Sequence, residues 1–255
     1  MKKIRKYYRI TFRLISPMAV GSGESNETDK DLIRDSRGNP FIPGSSLAGI
    51  YRGLFSRETA EKYFGPELNK EKIQKAMKET EDRKTQGPHN AQPDTKLYDS
   101  AVITYDAYPD EKEYLIAKRD MVELDEYKTA VPGGKFDFQI LEPGVRFVTF
   151  IEQQMDHVDQ QYVLNEIADA WRKGNIRIGA KTGRGYGHTE CIQIDTAMFD
   201  LAQENERNAW LDFDLYDPGN PNWNSGINRD CCPWCLQDLS PLSEGYEKMK
   251  SAYQR

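Results

Sequence analysis

The chain has 255 residues, 38% apolar and 30% charged, with a net charge of −6. That is enough apolar material for one large domain, or one domain with insertions, and no window approaches the roughly 18 apolar residues that a membrane-spanning helix needs. The start MKKIRKYYRITF lacks the apolar run of a secretion signal, so a cytoplasmic protein with no membrane partner is expected.

Along the chain, YYRITFRLIS (7–16) alternates Tyr8, Ile10, Phe12 and Leu14 against Tyr7, Arg9, Thr11 and Arg13, which predicts a half-buried strand. The polar stretch GSGESNETDKD follows as a loop. In FIPGSSLAGIYRGLF, the apolar residues Leu47, Ile50, Tyr51, Leu54 and Phe55 take helical spacing, with Ser45 or Ser46 as the N-cap. Residues 57–83 read as a charged helix, and 84–96 lack the residues for a core.

Strands are expected at AVITYDA (101–107), KFDFQIL (135–141) and RFVTFIE (146–152), the last two joined as a hairpin by EPG. Val158, Tyr162, Val163, Ile167 and Trp171 outline a second helix that ends at Gly174, a C′ glycine. IRIG and CIQID then flank a glycine loop as strands. This order predicts an α+β fold with a ferredoxin-like or RNA-recognition-motif core. The expected organisation is a body over 1–195, with insertions at about 57–100 and 106–131, and a C-terminal extension over 196–255. The acidic excess lies beyond residue 190, so the negative net charge does not exclude a nucleic-acid partner for the body.

The glycine loop sits in NIRIGAKTGRGYG (175–187), which comes within one residue of a nucleotide-binding P-loop. A P-loop leads into a helix, whereas the pattern here leads into a strand, and Ala180 displaces Lys181 from its place after the glycine. A glycine-rich hairpin with solvated charges is one alternative. The other is a cradle for an RNA backbone. Gly179, Gly183, Gly185 and Gly187 admit a polyanion close to the main chain, Lys181 and Arg184 meet phosphates beside Thr182, and Tyr186 offers a stacking face. The first turn of the helix at PGSSLAGIYR supplies a second candidate phosphate site.

Three stretches, GSGESNETDKDLIRDSRGNPFIPGSSLAGIYR, KRDMVELDEYKTAVPGGKFDFQILEPGVRF and IGAKTGRGYG, resemble in order the RAMP superfamily of CRISPR-associated RNA-binding proteins. They are most similar to the repeated backbone subunit of type III effector complexes, and they cover most of residues 8–190. The resemblance implies a core like an RNA-recognition motif, stacked in copies along a guide RNA beside other subunits. It also implies a thumb hairpin that inserts between bases, and cleavage of single-stranded target RNA with Mg or Mn. It assigns backbone contacts to Ser45, Ser46, Arg52 and the loop Gly179–Gly187. The thumb would lie within 106–131, with Met121 and Val122 as apolar wedges. The catalytic aspartate would be Asp29, six residues before Asp35. One departure is Ala48, where the family often carries lysine.

Outside the resemblance, Cys232 and Cys235 form half of a zinc-binding pattern, and His188 with Cys191 is the candidate second half; free thiols are the alternative. Two rivals to the cleaving backbone subunit are a non-cleaving structural RAMP subunit and a guide-processing RAMP endoribonuclease. The latter commonly uses a histidine near the first helix, and this chain has only His89, His157 and His188.

Overall fold

The computed structural model describes residues 3–23, 31–66, 100–110 and 113–226. Its first strand, β1 (Ile4–Leu14), follows the alternation read from the sequence: Tyr8, Ile10, Phe12 and Leu14 all enter the main core. A short ladder, β2 (Gly21–Gly23) with β3 (Asp31–Leu32), brackets the polar loop. Helices α1 (Gly44–Arg52) and α2 (Arg57–Phe64) come next. They are followed by β4 (Val102–Thr104), β5 (Tyr108–Pro109), β6 (Ile116–Leu124), β7 (Ala130–Leu141) and β8 (Arg146–Met155). The chain then forms α3 (Tyr162–Arg172), β9 (Thr189–Asp200), α4 (Glu204–Leu211) and β10 (Asn224–Gly226).

The main sheet runs β10-β9-β1-β8-β4. β1 pairs antiparallel with β8 from Ile4↔Met155 to Arg13↔Arg146, and with β9 on its other edge. Counting only β1, β4, β8 and β9, the order is fourth, first, third, second, and α1 and α3 supply the crossovers. This is the ferredoxin-like α+β arrangement. On its helical side, Phe12, Tyr51, Phe147 and Trp171 are all at most 1% exposed. Full burial of a large apolar side chain contributes about 1.5–3 kcal/mol, so this layer carries much of the fold. Gly174, at φ +67, receives the chain as α3 ends, and its N–H donates to the Trp171 carbonyl.

Several expectations change. β7 and β8 do not form the hairpin that EPG suggests. Both edges of β8 are taken, by β1 on one side and by β4 and β5 on the other, so β7 pairs with β6 in a separate ladder. The hairpin therefore spans 116–141 and extends past the expected 106–131. Ser45 and Ser46 do not cap α1. Pro43 holds the N-cap position without a side-chain cap bond, and the Gly44 N–H donates to Asp106 Oδ1 at 2.7 Å. IRIG forms only a one-residue bridge, Arg177↔His188. Val158 and Tyr162 stay exposed in and just after a 3-10 turn, while Val163, Ile167 and Trp171 are buried.

The expected boundary at 195 falls inside β9. β9 runs on to Asp200; residues 201–223 then pack as a layer on the open face of the sheet, and β10 joins its edge. Tyr7, Phe150, Phe199 and Trp223 form a second core there with Trp210 and Phe213. The same face carries a row of ion pairs from β1: Arg5–Glu152 at 2.8 Å, Arg9–Asp195 at 2.7 Å and Arg13–Glu190. No helix among the described residues is long and apolar enough to cross a membrane.

Candidate nucleic-acid interface

An RNA-recognition motif ordinarily offers stacking aromatics on the open face of its sheet. Here that face is occupied from within the chain. The Trp210 indole N–H donates to the Tyr7 hydroxyl at 2.8 Å, and the Arg9 guanidinium lies 5.1 Å from the Trp223 ring while paired with Asp195. What remains open is a cavity of about 330 Å³ between Tyr108 and Tyr216.

The glycine loop is the other candidate surface. It is anchored by backbone bonds to the segment after β1: Ala180 N–H to Ala19 O at 2.7 Å, and Gly187 N–H to Pro17 O at 2.7 Å. Two of its glycines are required by this anchoring. A Cβ on Gly179 would strike the Ala19 carbonyl, and one on Gly187 would strike the Ile178 carbonyl; both residues also have positive φ. Gly183 is different. Its φ is ordinary, and a Cβ there would meet nothing within 4 Å. No contact among the described residues calls for glycine at that position.

Thr182–Arg184 form a single 3-10 turn closed by Arg184 N–H to Lys181 O and Gly185 N–H to Thr182 O. This leaves the Thr182 and Gly183 N–H groups with no partner among the described residues. Thr182, Gly183 and Arg184 are exposed. The chain then enters β9 and not a helix, so the loop lacks the helix N-terminus of a P-loop and the nucleotide reading is set aside.

Lys181 and Tyr186 lie elsewhere than the sequence implied. The Lys181 ammonium sits 4.4 Å from the Phe138 ring centroid, 4.9 Å from that of Phe136 and 3.4 Å from Met121 Sδ. Tyr186 packs on Phe138 at 6.1 Å, in a small core with Ala19, Ala117 and Ile140. Both residues therefore pack against the β6–β7 hairpin. Met121 faces this core, so it is not a free wedge. The exposed apolar residues of the hairpin are Val122 at 47%, Leu124 at 52% and Tyr127 at 79%. Its tip is a fixed turn, in which Asp125 Oδ1 accepts the N–H groups of Tyr127 and Thr129.

On α1, Ser45 and Ser46 are exposed in the first turn. Arg52 instead donates to the Gly65 carbonyl at 2.7 Å, tying α1 to the end of α2. Phe136, Phe138 and Asp106 were missed in the sequence. Only the alternation of aromatics in KFDF hinted at the first two, and nothing local marked Asp106 as a cap.

Asp29 lies outside the described residues, as do Cys231, Cys232 and Cys235. The ends of the segment carrying Asp29 are nevertheless fixed. Gly23 pairs with Asp31, Ile33 N–H donates to Val20 O, and Arg34 donates to Gln139 on β7 at 3.1 Å. Asp35 has a local task. Its Oδ1 accepts from the N–H groups of Arg37 and Asn39 and its Oδ2 from the Asn39 amide. The Asn39 N–H, foremost among these bonds, holds its carboxyl below the ordinary value. Among the described residues no cluster of three or more His, Cys, Asp or Glu could hold a metal ion. Cys191 is 2% exposed inside the helix-side core, whereas His188 sits at the root of the glycine loop.

A solved structure of a type III-B Cmr-beta complex bound to cognate target RNA contains a chain similar to this one, with a TM-score of 0.52 and 19% identity. The match covers 75% of this chain and 60% of that one, so this chain spans well under the full length of its structural relative. No curated protein matches the sequence. A family model for the RAMP superfamily matches residues 11–190, and the chain belongs to that superfamily.

Proposed function

We propose that this chain is a guide-RNA-binding backbone subunit of a type III CRISPR effector complex, assembling with further copies of itself and with other subunits. The observation that carries this reading is the tip of the glycine loop. Gly183 and Arg184 are exposed, the Arg184 guanidinium has no partner among the described residues, and the Thr182 and Gly183 N–H groups beside it are accepted by no carbonyl there. Such a surface suits a phosphate backbone, which needs a cation, free N–H donors and room to approach the main chain. The exposed serines of α1 are assigned to the same strand. The hairpin, with Val122, Leu124 and Tyr127 at its outer end, is assigned to the bases. Insertion of apolar side chains between bases unstacks them.

The reading extends to cleavage of single-stranded target RNA through Asp29. The held ends of its segment, next to β7 and the glycine loop, support that register. Mg²⁺ or Mn²⁺ would supply charge stabilisation at the phosphodiester, and Asp29 is the side chain assigned to hold it. Asp35 is the weaker candidate, because both of its oxygens already accept bonds in its own turn.

The test is the nucleic acid that accompanies the assembled protein. RNA of defined length, with nuclease-protected intervals at a regular spacing, is the expected finding. Protein free of RNA, or RNA protected without periodicity, would overturn the reading.

A further inference from the structure

We infer that Lys181 is a positioning residue that locks the β6–β7 hairpin to the glycine loop by a cation–π contact, and is not one of the loop's phosphate contacts. Only its functional consequence rests on the RNA reading above.

The seat is built by strand geometry. Phe136 and Phe138 are two residues apart on β7 and share a face, and Met121 lies directly across from Phe136 in the ladder. These three side chains meet the Lys181 ammonium at 4.9, 4.4 and 3.4 Å. An ammonium within about 6 Å of a ring centroid is attracted by the ring's negative face.

The backbone supports the same reading. Lys181 has φ +62, a conformation in which glycine is the least strained residue. The surrounding loop uses glycine at 179, 183, 185 and 187, yet lysine stands at this position. The seat is also farther out along the hairpin than the Met18–Leu141 and Arg34–Gln139 contacts at its root. A contact at that distance controls the angle at which the hairpin leaves the body. An RNA strand held by the loop and a base step entered by Val122, Leu124 and Tyr127 would then share one rigid reference.

The experiment uses the full chain with ¹³C-labelled lysine. The Lys181 ε-methylene should be shifted upfield by ring currents, and the shift should vanish in Phe138→Leu. In Lys181→Met, which keeps the apolar stem, amide exchange of β6 and β7 around the seat should rise on the order of ten-fold, with the β1–β8 ladder unchanged. Lys181→Arg should restore the slow exchange. With single-stranded RNA as the probe, Lys181→Met should keep the wild-type salt slope, whereas Arg184→Ala should lower it by about 0.7.

An unshifted ε-methylene, unaltered hairpin exchange in Lys181→Met, or a salt slope lowered by Lys181→Met would each overturn the inference. If no form of the chain binds RNA, the RNA reading fails, while the chemical-shift and exchange measurements still decide the lock.

Discussion

The Trp210 indole N–H donates to the hydroxyl of Tyr7 at 2.8 Å, joining positions 203 residues apart across the open face of the sheet. Through this bond and the packing of Trp223 on Phe150 and Phe213, the C-terminal layer closes the surface that an RNA-recognition motif would otherwise present. Tyr7→Phe removes the acceptor and should cost about 1 kcal/mol. Trp223→Ala opens a cavity in the layer and should cost about 3 kcal/mol. Denaturant titration measures both, and Tyr7→Phe should leave RNA affinity unchanged. Weaker RNA binding by Tyr7→Phe at full folding would put RNA on the sheet.

The start of α1 separates two roles that look alike in sequence. Ser45→Ala combined with Ser46→Ala should change stability by less than about 0.5 kcal/mol, since neither serine makes a cap bond. Asp106→Ala should cost about 1 kcal/mol by releasing the Gly44 N–H. The reverse ranking in thermal or denaturant unfolding would make the serines caps after all. The serine pair should instead weaken RNA binding.

Those two cases also show what was legible before the structure. β1 and the Gly174 terminus of the second helix carry their signals within a dozen residues, and the structure places them as expected, although that helix begins only at Tyr162. The cap on α1 comes from Asp106, far along the chain, while a local serine offered a ready decoy. The EPG turn promised a hairpin, but the partners of β8 are set by β1, β4 and β5, which no local turn can reveal. The rings around Lys181, Phe136 and Phe138, lie more than forty residues upstream, so the sequence showed its charge and not its surroundings. Local periodicity was readable; pairing between distant segments was not.

Tyr51 gives a pH signature. Its ring is fully buried, and burial, partly offset by the bond from Trp171, raises its hydroxyl well above the ordinary value. A raised folded-state value means that the folded chain keeps a proton the unfolded chain releases above about pH 10. This contribution is therefore fully present at neutral pH and is lost as pH rises beyond that point, at up to about 1.4 kcal/mol per unit. Tyr51→Phe should cost about 1 kcal/mol at pH 7, by stranding the Trp171 N–H, and should flatten the alkaline decline. An equally steep decline in the variant would remove Tyr51 from that role.

Cleavage tests Asp29 against its neighbours. In the assembled complex with matched target RNA and Mg²⁺ or Mn²⁺, Asp29→Asn should retain target binding and lose scission, with stability changed by less than about 0.5 kcal/mol. Asp35→Asn should loosen the 35–39 turn while leaving the cleavage chemistry in place. Wild-type cutting by Asp29→Asn, with scission abolished at Asp31 or Asp35, would move the catalytic assignment. Target binding with no scission in the wild type would make the subunit structural.

The most direct measurement is the affinity of the full chain for single-stranded RNA across a salt series, compared among wild type, Arg184→Ala and Gly183→Val. Loss of one phosphate contact should lower the slope for Arg184→Ala by about 0.7. Gly183→Val should weaken binding while leaving the fold intact, because a Cβ there meets nothing among the described residues. Unchanged affinity and slope in both variants would contradict RNA binding at the glycine loop.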